Sequence, residues 1–157
     1  LRSSVLRLTN TIGPRMRIRD ARQTFLGIWI RRLLEGEPFE VWGGQQLRDL
    51  TDVEDCVHAL MLSALSDKTC GQAFNLGGHD TISLRALAEL LIDIHGSGVF
   101  KVCAFPKDRA AIDIGDYYAS DKLFRETTGW EPKISLRETL SRTLQYYAKH
   151  LEDYIAS

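Results

Sequence analysis

Short apolar runs bounded by glycine alternate along this chain with amphipathic stretches that open on helix-capping residues. That alternation confines it to the α/β class, although the order alone leaves the topology open. SSVLRLT (Ser3 to Thr9) reads as a buried strand, broken by Gly13 and Pro14. From about Arg22 to Glu35, Phe25, Ile28, Trp29 and Leu33 recur at helical spacing, and Gly36 and Pro38 end the helix. Phe39 to Trp42 is a brief strand followed by a Gly43-Gly44 turn. A helix over Thr51 to Leu65 is expected next. Thr51 and Glu54 have capping-box spacing there, and Val53, Val57, Leu60, Met61 and Ala64 form the apolar face.

Gly71 to Gly78 carries another strand, and Ser83 caps a helix that buries Leu84, Leu87, Ala88 and Leu91 and ends at Gly96. Val99 to Phe105 is a further strand. Asp121 to about Thr128 is a short helix closed by Gly129, and Ser135 with Glu138 opens the last helix through a second capping box. Its inner stripe is Leu136, Leu140, Leu144, Tyr147 and Leu151.

With 157 residues the chain can bury one ordinary core, and 44% hydrophobic with 26% charged residues is a globular balance. A formal net charge of -1 supplies no basic field for nucleic acid. No apolar run approaches the ~20 residues that cross a bilayer, so no membrane is expected. The first residues do not form a signal peptide, and Leu1 in place of Met suits a truncated chain or a proteolytic product. Cys56, Cys70 and Cys103 are too far apart for a zinc knuckle or a disulfide framework, and read as free thiols in a reducing cytoplasm. The four histidines share no ligand spacing, so no metal is expected.

Two segments offer binding chemistry. Asn10 ends a strand, where its amide either meets a phosphate or sugar hydroxyl or caps its own turn; spacing alone favours the cap. In PFEVWGGQQLRDLTDVEDCV, Trp42 beside a glycine turn is either a stacking surface for a base or core. Arg48 either grips a phosphate as a planar fork or pairs with Asp49 or Asp52 on the surface. Physical reading alone favours the plainer alternative for both.

Four segments in order, from about Val5 to Tyr147, resemble the extended short-chain dehydrogenase/reductase family, the NAD-dependent nucleotide-sugar epimerases and dehydratases of the UDP-glucose 4-epimerase type. Arg7, Asn10, Gly13 and Pro14 match R-x-x-N-x-Y-G-P, with Ile12 where the family has Tyr. Trp42, Arg48, Val53 and Asp55 match P-x-x-V-x-G-x-G-x-Q-x-R-D-F-x-x-V-x-D, in a loop one residue shorter and with Leu50 and Asp52 for Phe and Tyr. Phe74 to Leu91 matches F-N-x-G with a Ser-led helix, read as scaffold, with His79 exposed. Gly115, Asp116, Lys122, Gly129, Trp130 and Pro132 match the closing G-D, S/D-x-x-K and G-W-x-P, where Trp130 and Pro132 form a packed corner that docks the final helix.

The resemblance implies the C-terminal part of a Rossmann-type enzyme with its smaller α/β substrate-binding domain. Residues 1–36 and about 52–78 would belong to the Rossmann part, and 37–51 and 79–157 to substrate-binding segments. It implies a nucleotide-diphosphate sugar as partner, with Trp42 on the base, Arg48 on the diphosphate, Asn10 near phosphate and sugar, and Asp116 reaching the ribose or a neighbouring arginine. Leu8 and Thr9 would face the cofactor, NAD. Asp113 stands where many members carry a phosphate-gripping Arg, with Arg109 upstream as the candidate substitute. The parent would be a homodimer that oxidises and re-reduces a sugar hydroxyl to epimerise, dehydrate or decarboxylate.

No glycine-rich dinucleotide turn occurs, and no catalytic residue is assigned in this chain. Tyr118 and Lys122 have Tyr-x-x-x-Lys spacing but lie downstream of Asn10, the reverse of the family order, and are rejected as a catalytic pair. The chain alone is therefore expected to be inactive, with an unpaired sheet edge and sticky apolar faces. The other readings are a non-catalytic binding module with a degenerate pocket, and a family member acting on a sugar without a nucleotide.

Overall fold

The computed structural model describes residues 2–19, 25–105 and 114–155. Arg22, Arg109 and Asp113 lie outside them. Three small sheets organise the chain. β1 (Val5–Leu8) pairs in parallel with β5 (Ala73–Leu76). β2 (Asn10–Ile12) runs parallel to β4 (Leu47–Asp52), whose other edge pairs antiparallel with β6 (Thr81–Ser83). β3 (Phe39–Trp42) pairs in parallel with β7 (Phe100–Cys103).

The larger core gathers α1 (Phe25–Leu34), α3 (Leu84–His95) and α5 (Leu136–Ile155) against the second and third sheets. Trp29, Ile30, Leu33, Leu87, Leu91, Leu140 and Tyr147 are buried there. At about 1.5–3 kcal/mol for each large apolar side chain, this face holds the three helices together. Both serine caps form as their spacing predicts: the Ala86 amide donates to Ser83 Oγ, and the Glu138 amide to Ser135 Oγ, each at 3.2 Å.

A smaller core lies on one face of the β1–β5 sheet. Cys56 and Ala59 of α2 (Val53–Leu65) meet Phe74, Leu76, Trp130 and Phe124 of α4 (Lys122–Thr128). Trp130 donates its indole N–H to the Asp55 carbonyl at 3.1 Å, and the Asp55 carboxylate accepts the amides of Lys133 and Ile134, both at 3.0 Å. The corner ahead of α5 is thus tied to the first turn of α2. This is the physical content of the paired V-x-D and G-W-x-P patterns.

Three expectations need correcting. The strand expected over Ser3–Thr9 divides, because β1 follows β5 while the chain two residues on follows β4. It is not buried either: Val5 is 54% and Leu8 38% exposed. Among the described residues only β5 flanks β1, and of its side chains only Leu6 packs against the smaller core.

Thr51 is no helix cap. It is a buried residue of β4, and the cap of α2 is Asp52, whose Oδ1 accepts the Glu54 amide at 2.8 Å. Extending β4 along β2 as far as Asp52 displaces the helix start by one residue.

The expected apolar face of α2 points outward. Val57 is 49%, Leu60 50% and Met61 59% exposed, while the buried residues are Asp55, Cys56, Ala59 and Ser63. Small side chains let this helix lie close on its sheet. Leu47–Asp52 and Thr81–Ser83 were not assigned as strands from sequence.

Candidate functional site

β2 and β4 carry the site. Register sets Asn10 opposite Leu50, and Asn10 Nδ2 donates to the Asp49 carbonyl at 3.1 Å. Asn10 therefore ties two strands together instead of capping its own turn. With Thr9, Thr11, Ile12, Phe25, Leu26 and Leu50 it lines a cavity of about 230 Å³. Leu8 is partly exposed at the end of β1, and Thr9 Oγ1 donates to the Leu76 carbonyl at 3.4 Å. A second cavity of about 340 Å³, with His79, Pro132 and Ser135 on its wall, contains none of the candidate residues.

Arg48 is only 8% exposed. Its Nη1 donates to the carbonyls of Leu47 at 2.7 Å and Gly115 at 2.5 Å. It forms no ion pair with any carboxylate among the described residues, so the surface pairing with Asp49 or Asp52 does not occur. Asp52 is instead taken by Arg142 at 3.1 Å and by the Thr139 hydroxyl at 2.6 Å. A cation withdrawn from water without a counter-charge costs several kcal/mol. Two carbonyls offset part of that, and an anion on the remaining donors would offset the rest.

Asp116 is exposed, and its Oδ1 accepts the Leu47 amide at 2.8 Å. The Tyr117 amide donates to the Leu47 carbonyl at 2.9 Å, and the Ala119 amide to Asp49 Oδ2 at 3.0 Å. Residues 115–119 therefore run along β4, and Arg48 and Gly115 hold each other across 67 positions of sequence. Asn10, Asp49, Arg48, Gly115 and Asp116 form one connected network. Sequence reasoning missed Asp49 and the Gly115 carbonyl as parts of it. The dipeptides were visible in the pattern, and their pairing was not.

Trp42 stands apart from this network, on β3. Its ring is half-buried, meets Phe105 edge-on at 5.7 Å, and donates its N–H to Glu40 Oε2 at 3.1 Å. Gly77 and Gly78 cross β4 so closely that side chains there would collide. A Cβ on Gly77 would come within 2.6 Å of Asp49 Oδ2, and one on Gly78 within 2.5 Å of the Leu50 carbonyl. Tyr118 and Lys122 are both exposed, and Lys122 pairs with Glu126 at 3.8 Å, the geometry of a surface helix start.

Comparison with known proteins shows which family this chain resembles. The family model for NAD dependent epimerase/dehydratase matches residues 1–77. A UDP-glucuronic acid decarboxylase 1 of Xenopus tropicalis is 33% identical over 150 residues, which is 94% of this chain. Residues 1–77 thus match the NAD-dependent epimerase/dehydratase family, and likeness to an enzyme of this kind extends over most of the chain. Among solved structures of that family, a Thermotoga maritima UDP-glucose 4-epimerase, solved with UDP-glucose, superposes with a TM-score of 0.80 at 32% identity over 97% of this chain. An epimerase of Methanothermobacter thermautotrophicus superposes at 0.85 with 22% identity over 95% of it, a likeness of fold. The fold is thus the α/β, Rossmann-type fold of these epimerases. The chain spans 34% of the decarboxylase and 48% of the Thermotoga epimerase, about a third to a half of its relatives' length.

Proposed function

We propose that this chain is the C-terminal, nucleotide-sugar-binding portion of an NAD-dependent epimerase/dehydratase. The observation that carries the reading is Arg48, nearly buried, held by two carbonyls and paired with no carboxylate among the described residues. A diphosphate supplies the missing charge in the planar geometry that the remaining guanidinium donors favour. Asn10 lines the adjacent cavity and orients the sugar side. Asp116 keeps a second carboxylate oxygen for the ribose, and Trp42 offers its ring to the base. Holding the sugar in register with a hydride acceptor contributes to rate by orientation. The relatives' names, a UDP-glucose 4-epimerase and a UDP-glucuronic acid decarboxylase, favour UDP as the first nucleotide to test.

Within this reading, residues 1–36 and about 52–78 are the Rossmann part, and 37–51 and 79–157 the substrate part. The parent works as a cytoplasmic homodimer with NAD. Leu8 and Thr9 offer the nicotinamide a partly exposed edge. The described residues do not fit the rest of that cofactor, because α2, α3, α4 and α5 open on Asp52, Ser83, Asp121 and Ser135 without a glycine-rich turn. The chain by itself is proposed to bind without turning over.

Calorimetry with UDP-, dTDP- and GDP-sugars tests the reading. Binding should weaken about 10–100-fold in Arg48→Ala, the loss of one or two charge-assisted hydrogen bonds. Binding that Arg48→Ala leaves unchanged would assign the arginine a purely structural role, as in a family member that takes a sugar without a nucleotide. A parent protein that binds no nucleotide-sugar would favour the non-catalytic module.

A further inference from the structure

We infer that Asp49 is a positioning residue: its buried carboxylate holds residues 115–119 along β4 and so aims Arg48, without itself touching ligand. Asp49 is 2% exposed. Its Oδ2 accepts the Ala119 amide, and its main-chain carbonyl accepts Asn10 Nδ2. Buried, and with Oδ2 taken by the Ala119 amide, the Asp49 carboxylate has no open path to a ligand. Its influence passes through the backbone it fixes.

The bonds from 115–119 to β4 fall at alternate residues, Gly115, Tyr117 and Ala119, as in an extended segment laid parallel to a strand. Asp116 fastens the exposed end of that segment and Asp49 the buried end. Water competes more for the first bond than for the second, so Asp49 is the stronger of the two carboxylate fastenings. When it stays down, the Gly115 carbonyl occupies Arg48 Nη1 and turns the remaining donors to one side. Gly77 completes the arrangement, since any Cβ there would occupy the place of Asp49 Oδ2 and the Ala119 carbonyl.

Only the binding arm of the test rests on the diphosphate reading. Asp49→Asn keeps an acceptor for the Ala119 amide, Asp49→Ala removes it, and Ala119→Pro removes the donor while leaving Asp49 in place. In Asp49→Ala and Ala119→Pro the Tyr117 amide should exchange about tenfold faster, the worth of one buried hydrogen bond. The Arg48 Nε–H resonance should shift toward solvent-exposed values, while the Asn10 side-chain amide, held by the main-chain carbonyl of residue 49, should stay where it is. The Kd for UDP should rise about tenfold. Asp49→Asn should restore all three.

Folded Asp49→Ala and Ala119→Pro variants with an unmoved Arg48 resonance overturn the inference. So does a folded Asp49→Asn that behaves like Asp49→Ala, because the charge would then matter and the acceptor would not. If the unaltered chain binds no UDP, the diphosphate reading fails while the resonances still decide the role of Asp49.

Discussion

Asp55 and Ile134 lie 79 positions apart, and the carboxylate of the first accepts the backbone amide of the second at 3.0 Å. The same oxygen takes the Lys133 amide, and the Asp55 carbonyl takes the Trp130 indole. One residue in the first turn of α2 thus determines where the segment leading into α5 turns, and with it how α5 meets the larger core.

Asp55→Ala should therefore cost about 2–4 kcal/mol, because it strands two amides beside a buried corner. Chemical denaturation followed by tryptophan fluorescence measures it. A loss below ~1 kcal/mol would show that water replaces the carboxylate. Asp55→Asn, which keeps one acceptor oxygen, should fall between the two.

The buried carboxylate of Asp52 caps α2, accepts the Thr139 hydroxyl and pairs with Arg142. Asp52→Ala should cost more than the ~1 kcal/mol of a lost cap alone, and removing Arg142 should leave that carboxylate without its cation. A double-mutant cycle over Asp52 and Arg142 should give a coupling of about 0.5–3 kcal/mol. Strict additivity would mean that solvent already satisfies the pair.

The outward face of α2 should govern association. Leu60→Gln with Met61→Gln should change stability by no more than about 0.5 kcal/mol, since both positions are half exposed or more. Sedimentation at increasing concentration should show the unaltered chain associating more than the double variant. Equal behaviour of the two would place the sticky surface elsewhere.

Burial raises the pKa of the Cys56 thiol above its ordinary value, and burial with neighbouring tyrosines raises that of the Tyr147 phenol. Both shifts favour the protonated form in the folded state. Their stabilisation is complete below the unfolded pKa values and is lost as pH climbs past them, for Tyr147 above about pH 10. Melting temperature should fall in that alkaline range, and Tyr147→Phe should flatten the fall. In a thiol assay the exposed Cys70 should react at once and Cys56 only on unfolding. Equal rates would mean that Cys56 is reached without unfolding.

Local signals determined the helices and their ends. Ser83, Ser135, Gly96 and Gly129 act within a single turn of backbone, so spacing of three or four residues identifies them. The family, too, was legible, because its motifs are contiguous. Tertiary structure decided what depends on partners far along the chain. It divided the first strand between β5 and β4, turned the large residues of α2 outward, and moved that helix's cap from Thr51 to Asp52. It also left Arg48 without a carboxylate partner among the described residues while the Gly115 carbonyl took its Nη1. A strand's burial and an arginine's availability are set by which surfaces close on them, and hydrophobic periodicity carries no record of that.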